Sequence, residues 1–209
     1  MLISGSGSNL QALLDAQPKI NIVHVVSSRK TAYGLTRASI HNVPSTAFAL
    51  KPYLTAHPGS TRTDYDAKLA EIVLELQPDL VVLAGWMHIL SERFLQPLVR
   101  PATEEGKGGE KIPIINLHPA LPGAFDGANA IARAHEAFEK GEIQKTGIMV
   151  HEVISEVDKG APILVKEVEM VKGESIEALE ERIHQVEHQL IVQATQQLVT
   201  EMKTPAVTN

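Results

Sequence analysis

Residues 63–84 read TDYDAKLAEIVLELQPDLVVLA, and the change of period inside that stretch decides the fold. Leu69, Ile72, Val73 and Leu76 recur at the three-and-four spacing of one helical face, which predicts a helix over Thr63–Gln77. Pro78 closes it, because proline cannot continue the backbone hydrogen-bond ladder. Leu80–Ala84 is then apolar without interruption, the pattern of a strand buried on both faces. An amphipathic helix feeding such a strand through a short turn is one half of a repeating α/β unit.

The alternation extends in both directions. Upstream, Met1–Ile3 end a strand, Gly5–Asn9 form a loop, and a helix carries Leu10, Leu13 and Leu14 on one face until Pro18 stops it. Ile22–Val26 reads as a strand, Tyr33–His41 as a helix and Thr46–Leu50 as another strand. Downstream, residues 101–111 (PATEEGKGGEK) are polar and Gly-rich and predict a surface loop. Ile112–Leu117 is the next strand, Ala128–Glu139 the next helix, and two strands follow around Thr146–Val153 and Ile163–Met170. Ser175 caps a long helix reaching about Met202, and the tail from Lys203 to Asn209 is expected to fray. The fold class is therefore α/β: a Rossmann-like, mainly parallel twisted sheet with helices on both faces. In such sheets ligands sit beyond the carboxyl ends of the strands, where most of the chemically suggestive residues fall.

Composition narrows the function. The 209 residues suffice for a genuine core, and 44% hydrophobic with 21% charged is ordinary for a globular protein. A net charge of −6 gives no general positive field, so neither nucleic acid nor a membrane surface is expected as partner. An anionic substrate would need a local site. With no cysteine, a disulfide framework, thiolate catalysis and Cys-ligated zinc are excluded. There is no long apolar run and no basic-then-apolar leader, so the cytoplasm is the expected location.

Three motifs carry chemistry. The loop Gly5-Ser6-Gly7-Ser8-Asn9 joins a strand to a helix, where backbone amides and the helix dipole favour a phosphate. Leu10 stands at the third glycine position of a dinucleotide fingerprint, and no Gly-Lys-Ser/Thr follows; the small polar residues suit a monophosphate, the bland alternative being a tight turn. Asn116 and His118 alternate along one strand and so face one cleft, an amide beside an imidazole, suited to gripping a carbonyl oxygen that becomes an oxyanion. Asp158, in the loop EVDKGAP, is placed to orient His118 and accept a proton from an attacking amine, although Asp before Lys-Gly is also ordinary turn chemistry. His184-Gln-Val-Glu-His188 has the inverted zinc-protease spacing but lacks a third ligand nearby; Glu187 is better used as an acceptor for a polar substrate.

Four ordered blocks, Leu2–Ala12, Leu80–Leu90 (LVVLAGWMHIL), Asn116–Gly123 and Val150-His151 through Asp158 to Pro162, resemble the phosphoribosylglycinamide formyltransferases, in their fungal form, over nearly the whole chain. The resemblance implies the formyltransferase fold as a single domain over 1–209, with a phosphate-binding half at about 1–100 and a folate and catalytic half at about 112–202. It implies transfer of the formyl group of 10-formyltetrahydrofolate to the amine of glycinamide ribonucleotide in purine synthesis, with 10-formyltetrahydrofolate as co-substrate and no metal. Asn116, His118 and Asp158 fall on the family's catalytic trio. Gly7, Ser8, Asn9 and Glu187 fall on its ribonucleotide site, and Met87, His88, Ile89, Leu90, Asn116, Ile154, Ser155, Glu156, Val157 and Asp158 on its folate pocket. Small-molecule substrates, no nucleic acid, no membrane and a monomer or weak homodimer are the expected partners.

Some positions depart from the family. The first strand is clipped to about three residues, residues 101–111 are an insertion relative to bacterial forms, and His88 occupies a variable position. Ala67 stands where bacterial members carry an arginine near the folate, leaving that contact missing or supplied by Arg62 or Lys68. Alternatives sharing the trio are a formyltetrahydrofolate hydrolase, expected to carry a regulatory domain ahead of this one, and a tRNA formyltransferase, expected to carry a basic domain after it. A catalytically silent folate or sugar-phosphate module is the alternative of another class.

Overall fold

Parallel strands need a crossover between them, and the helices supply it. In the computed structural model, which describes residues 1–16, 20–98 and 111–203, the chain forms two compact units. The first comprises Met1–Leu14 and Asn21–Ile114. Its strands are β1 (Leu2–Ile3), β2 (Val25–Ser27), β3 (Ser45–Ala47) and β4 (Val81–Leu83). All pair in parallel, β3 with β2, β2 with β1 and β1 with β4. The register sets Leu2 opposite Val26 on one side and Leu83 on the other.

Helices α1 (Ser8–Asp15), α2 (Tyr33–Ile40) and α4 (Arg62–Glu75) follow the periodicity. Leu10, Leu13 and Leu14 of α1 and Leu69 and Val73 of α4 are buried, and burial of such side chains contributes about 1.5–3 kcal/mol each. Thr61 caps α4 through a capping box, its hydroxyl accepting from the Asp64 amide while the Asp64 carboxylate accepts from the Thr61 amide at 2.8 Å.

Two expectations need correction here. Thr46–Leu50 is strand only as far as Ala47, and Leu50 instead opens a helix, α3 (Leu50–Ala56), with Pro52 inside its first turn where the missing N–H costs nothing. Ile22–Val26 is strand only from Val25, where pairing with β1 begins: the Met1 amine donates to the His24 carbonyl at 2.7 Å and Val26 N–H to the Met1 carbonyl at 2.8 Å. After β4 come α5 (Glu92–Leu95) and a 3-10 turn (Gln96–Leu98), neither of which the periodicity signalled.

The second unit comprises Asp15–Ile20 and Ile115–Asn209. Strand β5 (Ile114–His118) begins on the last residue of the first unit, and β6 (Lys145–Glu152) and β7 (Pro162–Glu169) follow. These strands are antiparallel, β5 to β6 and β6 to β7. Helix α6 spans Ala130–Glu139, and α7 spans Ile176–Lys203 with the Ser175 hydroxyl accepting from the Ala178 amide at 3.3 Å. Leu179, Ile183, Ile191 and Ala194 of α7 are buried, as are Ile148, Met149 and Val150 of β6. No described helix is long and apolar enough to cross a membrane. The expected Pro18 stop, the loop at 101–110 and the tail at 204–209 lie outside the described residues.

Candidate active site

Antiparallel pairing of β5 with β6 builds the centre of the site. Asn116 and His118 stand two apart on β5, and the register places His151 of β6 directly opposite Asn116. A register irregularity at Val150/His151 interrupts the regular β6–β7 pairing at that point. Asp158 arrives from the connection between β6 and β7, which is closed by the Glu152 amide donating to the Ala161 carbonyl at 3.0 Å. Gly160 is obligatory in that connection, since a Cβ there would sit on the Glu152 carbonyl oxygen.

Asp158 adopts a left-handed backbone with φ of 55°, a conformation that Asp and Asn tolerate better than other side chains. Its Oδ2 accepts the Gly127 amide at 2.8 Å and lies 3.4 Å from His118 Nδ1. Its Oδ1 lies 3.4 Å from both His151 Nε2 and Asn116 Nδ2. The Gly127 bond has full hydrogen-bond geometry; the three longer contacts are loose enough to tighten when substrate enters. Burial alone would raise the Asp158 carboxyl, but the neighbouring His151 imidazole, the hydrogen bond from the Gly127 amide and the proximity of His118 hold it below the ordinary carboxylate value.

His151 fixes Asn116. Its Nδ1–H donates to the Glu152 carbonyl at 2.7 Å, so in the neutral ring Nε2 carries the lone pair and accepts from the Asn116 amide nitrogen at 3.2 Å. The second amide hydrogen of Asn116 makes only the 3.4 Å approach to Asp158. His118 is 4% exposed, and its Nε2 has no partner among the described residues. Burial pushes its pKa below the usual imidazole value, Asp158 pulls it back up and His151 adds to the lowering. His118 is therefore largely neutral at pH 7 in the free protein, and the expected imidazolium has to be formed with substrate in place.

In the first unit the Gly5–Asn9 loop follows β1. Gly7 has φ of 73° and its carbonyl accepts the Gln11 amide at 2.9 Å, so α1 starts immediately after it. Helix α2 engages the loop's carbonyls: Gly34 N–H donates to Gly5 at 3.2 Å and Arg37 Nε to Ser6 at 3.0 Å. The first-turn amides of α1 remain without intrahelical acceptors, as at every helix start. A Cβ on Gly7 would stand 2.7 Å from the Gly34 Cα, whereas one on Gly5 would meet nothing within 4 Å.

The segment after β4 is anchored from two sides. Met87 N–H donates to Ser4 Oγ at 2.9 Å, and Arg62 Nη2 donates to the Ile89 carbonyl at 2.6 Å. Arg62 also pairs with Asp66 at 3.0 Å and donates to His88 Nδ1 at 3.3 Å. Burial first, then the Arg62 charge and less strongly Arg29, hold His88 below its ordinary value. Met87 and Ile89 are 73% and 66% exposed, unusual for large apolar side chains on a pinned loop and suited to lining a ligand.

Residues 1–195 match the family model described as formyl transferase. The chain belongs to the formyl transferase family. This formyl transferase is 51% identical to the phosphoribosylglycinamide formyltransferase of Schizosaccharomyces pombe, over 97% of each chain. It is 43% identical to that of Saccharomyces cerevisiae, again over 97% of each. The crystal structure of the phosphoribosylglycinamide formyltransferase from Streptococcus pneumoniae TIGR4 aligns with a TM-score of 0.78 at 32% identity, covering 95% of this chain and 96% of that one.

Asn116, His118 and Asp158 of this formyl transferase thus meet within its second unit, which also carries Ile154–Val157 on the loop before Asp158 and Glu187, buried on α7. Gly7, Ser8 and Asn9, and Met87 to Leu90, are placed by the first unit. His184 is exposed on α7, and the described residues contain no group of three or more His, Cys, Asp or Glu able to hold a metal. His151 and the Gly127 amide are the contributors that spacing alone did not single out.

Proposed function

We propose that this formyl transferase moves the formyl group of 10-formyltetrahydrofolate to the amine of glycinamide ribonucleotide. The observation that carries the reading is His118: one ring nitrogen faces Asp158 and the other is buried without a hydrogen-bond partner among the described residues. A formyl oxygen fills that vacancy in hydrogen-bonding capacity. The names of the S. pombe and S. cerevisiae relatives support glycinamide ribonucleotide as the acceptor.

The substrate amine attacks the formyl carbon, and the carbonyl electron pair moves to oxygen. Developing negative charge there opposes the effect of burial on His118 and, with Asp158, favours the imidazolium, whose Nε2–H stabilises the adduct. The Asn116 hydrogen that makes only the long contact with Asp158 is the one that turns to donate to a substrate oxygen. Asp158 takes the proton of the attacking amine. The adduct collapses by breaking the bond from carbon to N10 of the folate, and that nitrogen takes up a proton, so one proton passes overall from amine to folate. The Gly5–Asn9 loop holds the ribonucleotide phosphate, with Glu187 on the acceptor's polar groups and the segments at Met87–Leu90 and Ile154–Asp158 on the folate.

Absorbance of the folate product, followed with and without glycinamide ribonucleotide, tests the reading. Product formation that depends on the ribonucleotide is expected; equal rates without it would make the protein a hydrolase, and no rate in either case a silent module.

The phosphate loop is tested at Gly5. Gly7 is unsuitable, since any side chain there strains a positive φ and collides with α2. Gly5→Leu projects into open space, keeps the fold and raises KM for the ribonucleotide roughly tenfold or more, the scale of losing one charge-assisted hydrogen bond. Folate affinity stays nearly unchanged. A selective loss of folate binding would show that the loop serves the other substrate.

A further inference from the structure

Arg133 is the fourth residue of α6, and side chains in a first helical turn lean back over the chain that precedes the helix. A cation is unfavourable at that end, where the helix dipole is positive. Nothing in the helix offsets it: the cap residue Asn129 makes no side-chain capping bond, and no acidic residue stands in the first turn. The guanidinium is committed elsewhere. Its Nη2 donates to the Phe125 carbonyl at 2.5 Å and to the Asp126 carbonyl at 2.8 Å, and its central carbon lies 5.8 Å from the centre of the Phe125 ring.

Keeping that shape costs stability. Phe125 has φ of 52°, a left-handed backbone that is unfavourable for an aromatic residue. Arg133 Nε and Asp126 Oδ1 are buried with no hydrogen-bond partner among the described residues. Strained backbone and unpaired buried polar atoms gather where function requires a particular geometry. Here the held segment grips the loop that carries Asp158. Gly127 N–H donates to Asp158 Oδ2 at 2.8 Å, and the Asp126 carboxylate pairs with Lys159, the next residue along. The Phe125 carbonyl also favours the charged form of His118. All these residues belong to the second unit.

Resting on the mechanism above, we infer that Arg133 is a positioning residue for the reaction: by clasping the Phe125 and Asp126 carbonyls it holds the Gly127 amide against Asp158, and so keeps the carboxylate where the amine proton is taken up. It acts on turnover and not on binding.

The test compares kcat, KM and NMR titrations of the His118 ring and the Asp158 carboxyl in the full chain and its variants. Arg133→Met keeps the stem and removes every donor. It should lower kcat roughly tenfold, the scale of a displaced catalytic group, and leave both KM values within about twofold. The Asp158 carboxyl should titrate higher without a firm Gly127 bond, and His118 lower without its close carboxylate. Opposite shifts are diagnostic, because loss of the Arg133 charge alone raises both values. Both Arg133 bonds come from one nitrogen, which an ammonium imitates, so Arg133→Lys should restore kcat to within about threefold. In an Asp158→Asn background, Arg133→Met should cost no more than about twofold further, since the carboxylate it positions is gone. Arg182→Met removes a guanidinium engaged on Glu174 at 2.6 Å in the same unit, and should leave kcat and both titrations unchanged whatever it does to the unfolding midpoint. Arg133→Gln, a milder truncation, replaces Arg133→Met in every comparison if the latter does not fold.

Natural kcat in Arg133→Met, a rise in KM alone, or titrations that stay still or rise together would each overturn the proposal. So would full additivity with Asp158→Asn, no recovery in Arg133→Lys, or an equal fall in kcat in Arg182→Met. Natural turnover in Asp158→Asn alone would instead sink the mechanism on which the proposal rests, a result read without any Arg133 variant.

Discussion

His118→Ala should lower kcat by roughly 10²-fold or more, the scale of removing a stabiliser of an oxyanion. KM for either substrate should move little, because the imidazole acts on an atom that becomes charged only during reaction. The imidazole is 4% exposed, so the truncation also leaves a cavity, and its effect on folding must be separated from its effect on chemistry. His118→Gln provides that control: it restores much of the volume and an amide donor but cannot take up a proton. Both variants should unfold cooperatively near the natural midpoint while both lose turnover. If His118→Gln kept near-normal kcat, the protonation of His118 would drop out of the mechanism, and a neutral hydrogen-bond donor would be enough.

Much of this site was readable from residue spacing, and the exceptions have physical causes. Asn116 and His118 share a face because strand side chains alternate, which holds whatever the strand pairs with. His151 escapes such reasoning, because its place opposite Asn116 depends on the register between β5 and β6, and register is a property of two segments and the irregularity at Val150/His151. The Gly127 amide escapes for the same reason: a backbone donor has no signature in residue type. The helices α1, α4 and α7 were legible because each has a long apolar face and, in two cases, a hydroxyl cap: Thr61 on α4 and Ser175 on α7. Helix α3 was not, since it buries no residue and the run from Thr46 to Leu50 carries strand and helix character equally. The extent of β2 follows its register with β1, Leu2 opposite Val26 and Ile3 opposite Ser27, which no local pattern in Ile22–Val26 reports.

The protonation of His118 was legible only in part. Residue types place a carboxylate beside an imidazole and so favour the charged ring, but burial acts the other way and is the larger influence. Asp158 therefore does not keep His118 charged at rest; it limits how far burial lowers it, and its charge counts most when the adduct forms.

That reasoning gives Asp158→Asn a definite expected outcome. Asn tolerates the left-handed backbone at this position as well as Asp does, and its side-chain oxygen still accepts the Gly127 amide, so the loop should keep its shape. What is lost is one negative charge beside His118 and one acceptor for the amine proton. Turnover should fall by roughly 10²-fold or more, in the range of a positioned proton-transfer group. Substrate affinities should change little, because the phosphate loop and the Met87–Leu90 segment are untouched and the Ile154–Asp158 segment is expected to meet the folate mainly through its backbone. The sign of the accompanying titration follows from the two opposing influences on His118. Burial lowers its pKa and Asp158 raises it, so removing the carboxylate must move the imidazole titration to still lower pH. NMR titration of His118 in both proteins, run beside kcat, reads the two effects independently. Lost turnover with an unmoved titration would leave Asp158 as a proton acceptor that does not tune His118. Unchanged turnover with an unmoved titration would reduce it to a turn residue, and the proposed mechanism would then have no base.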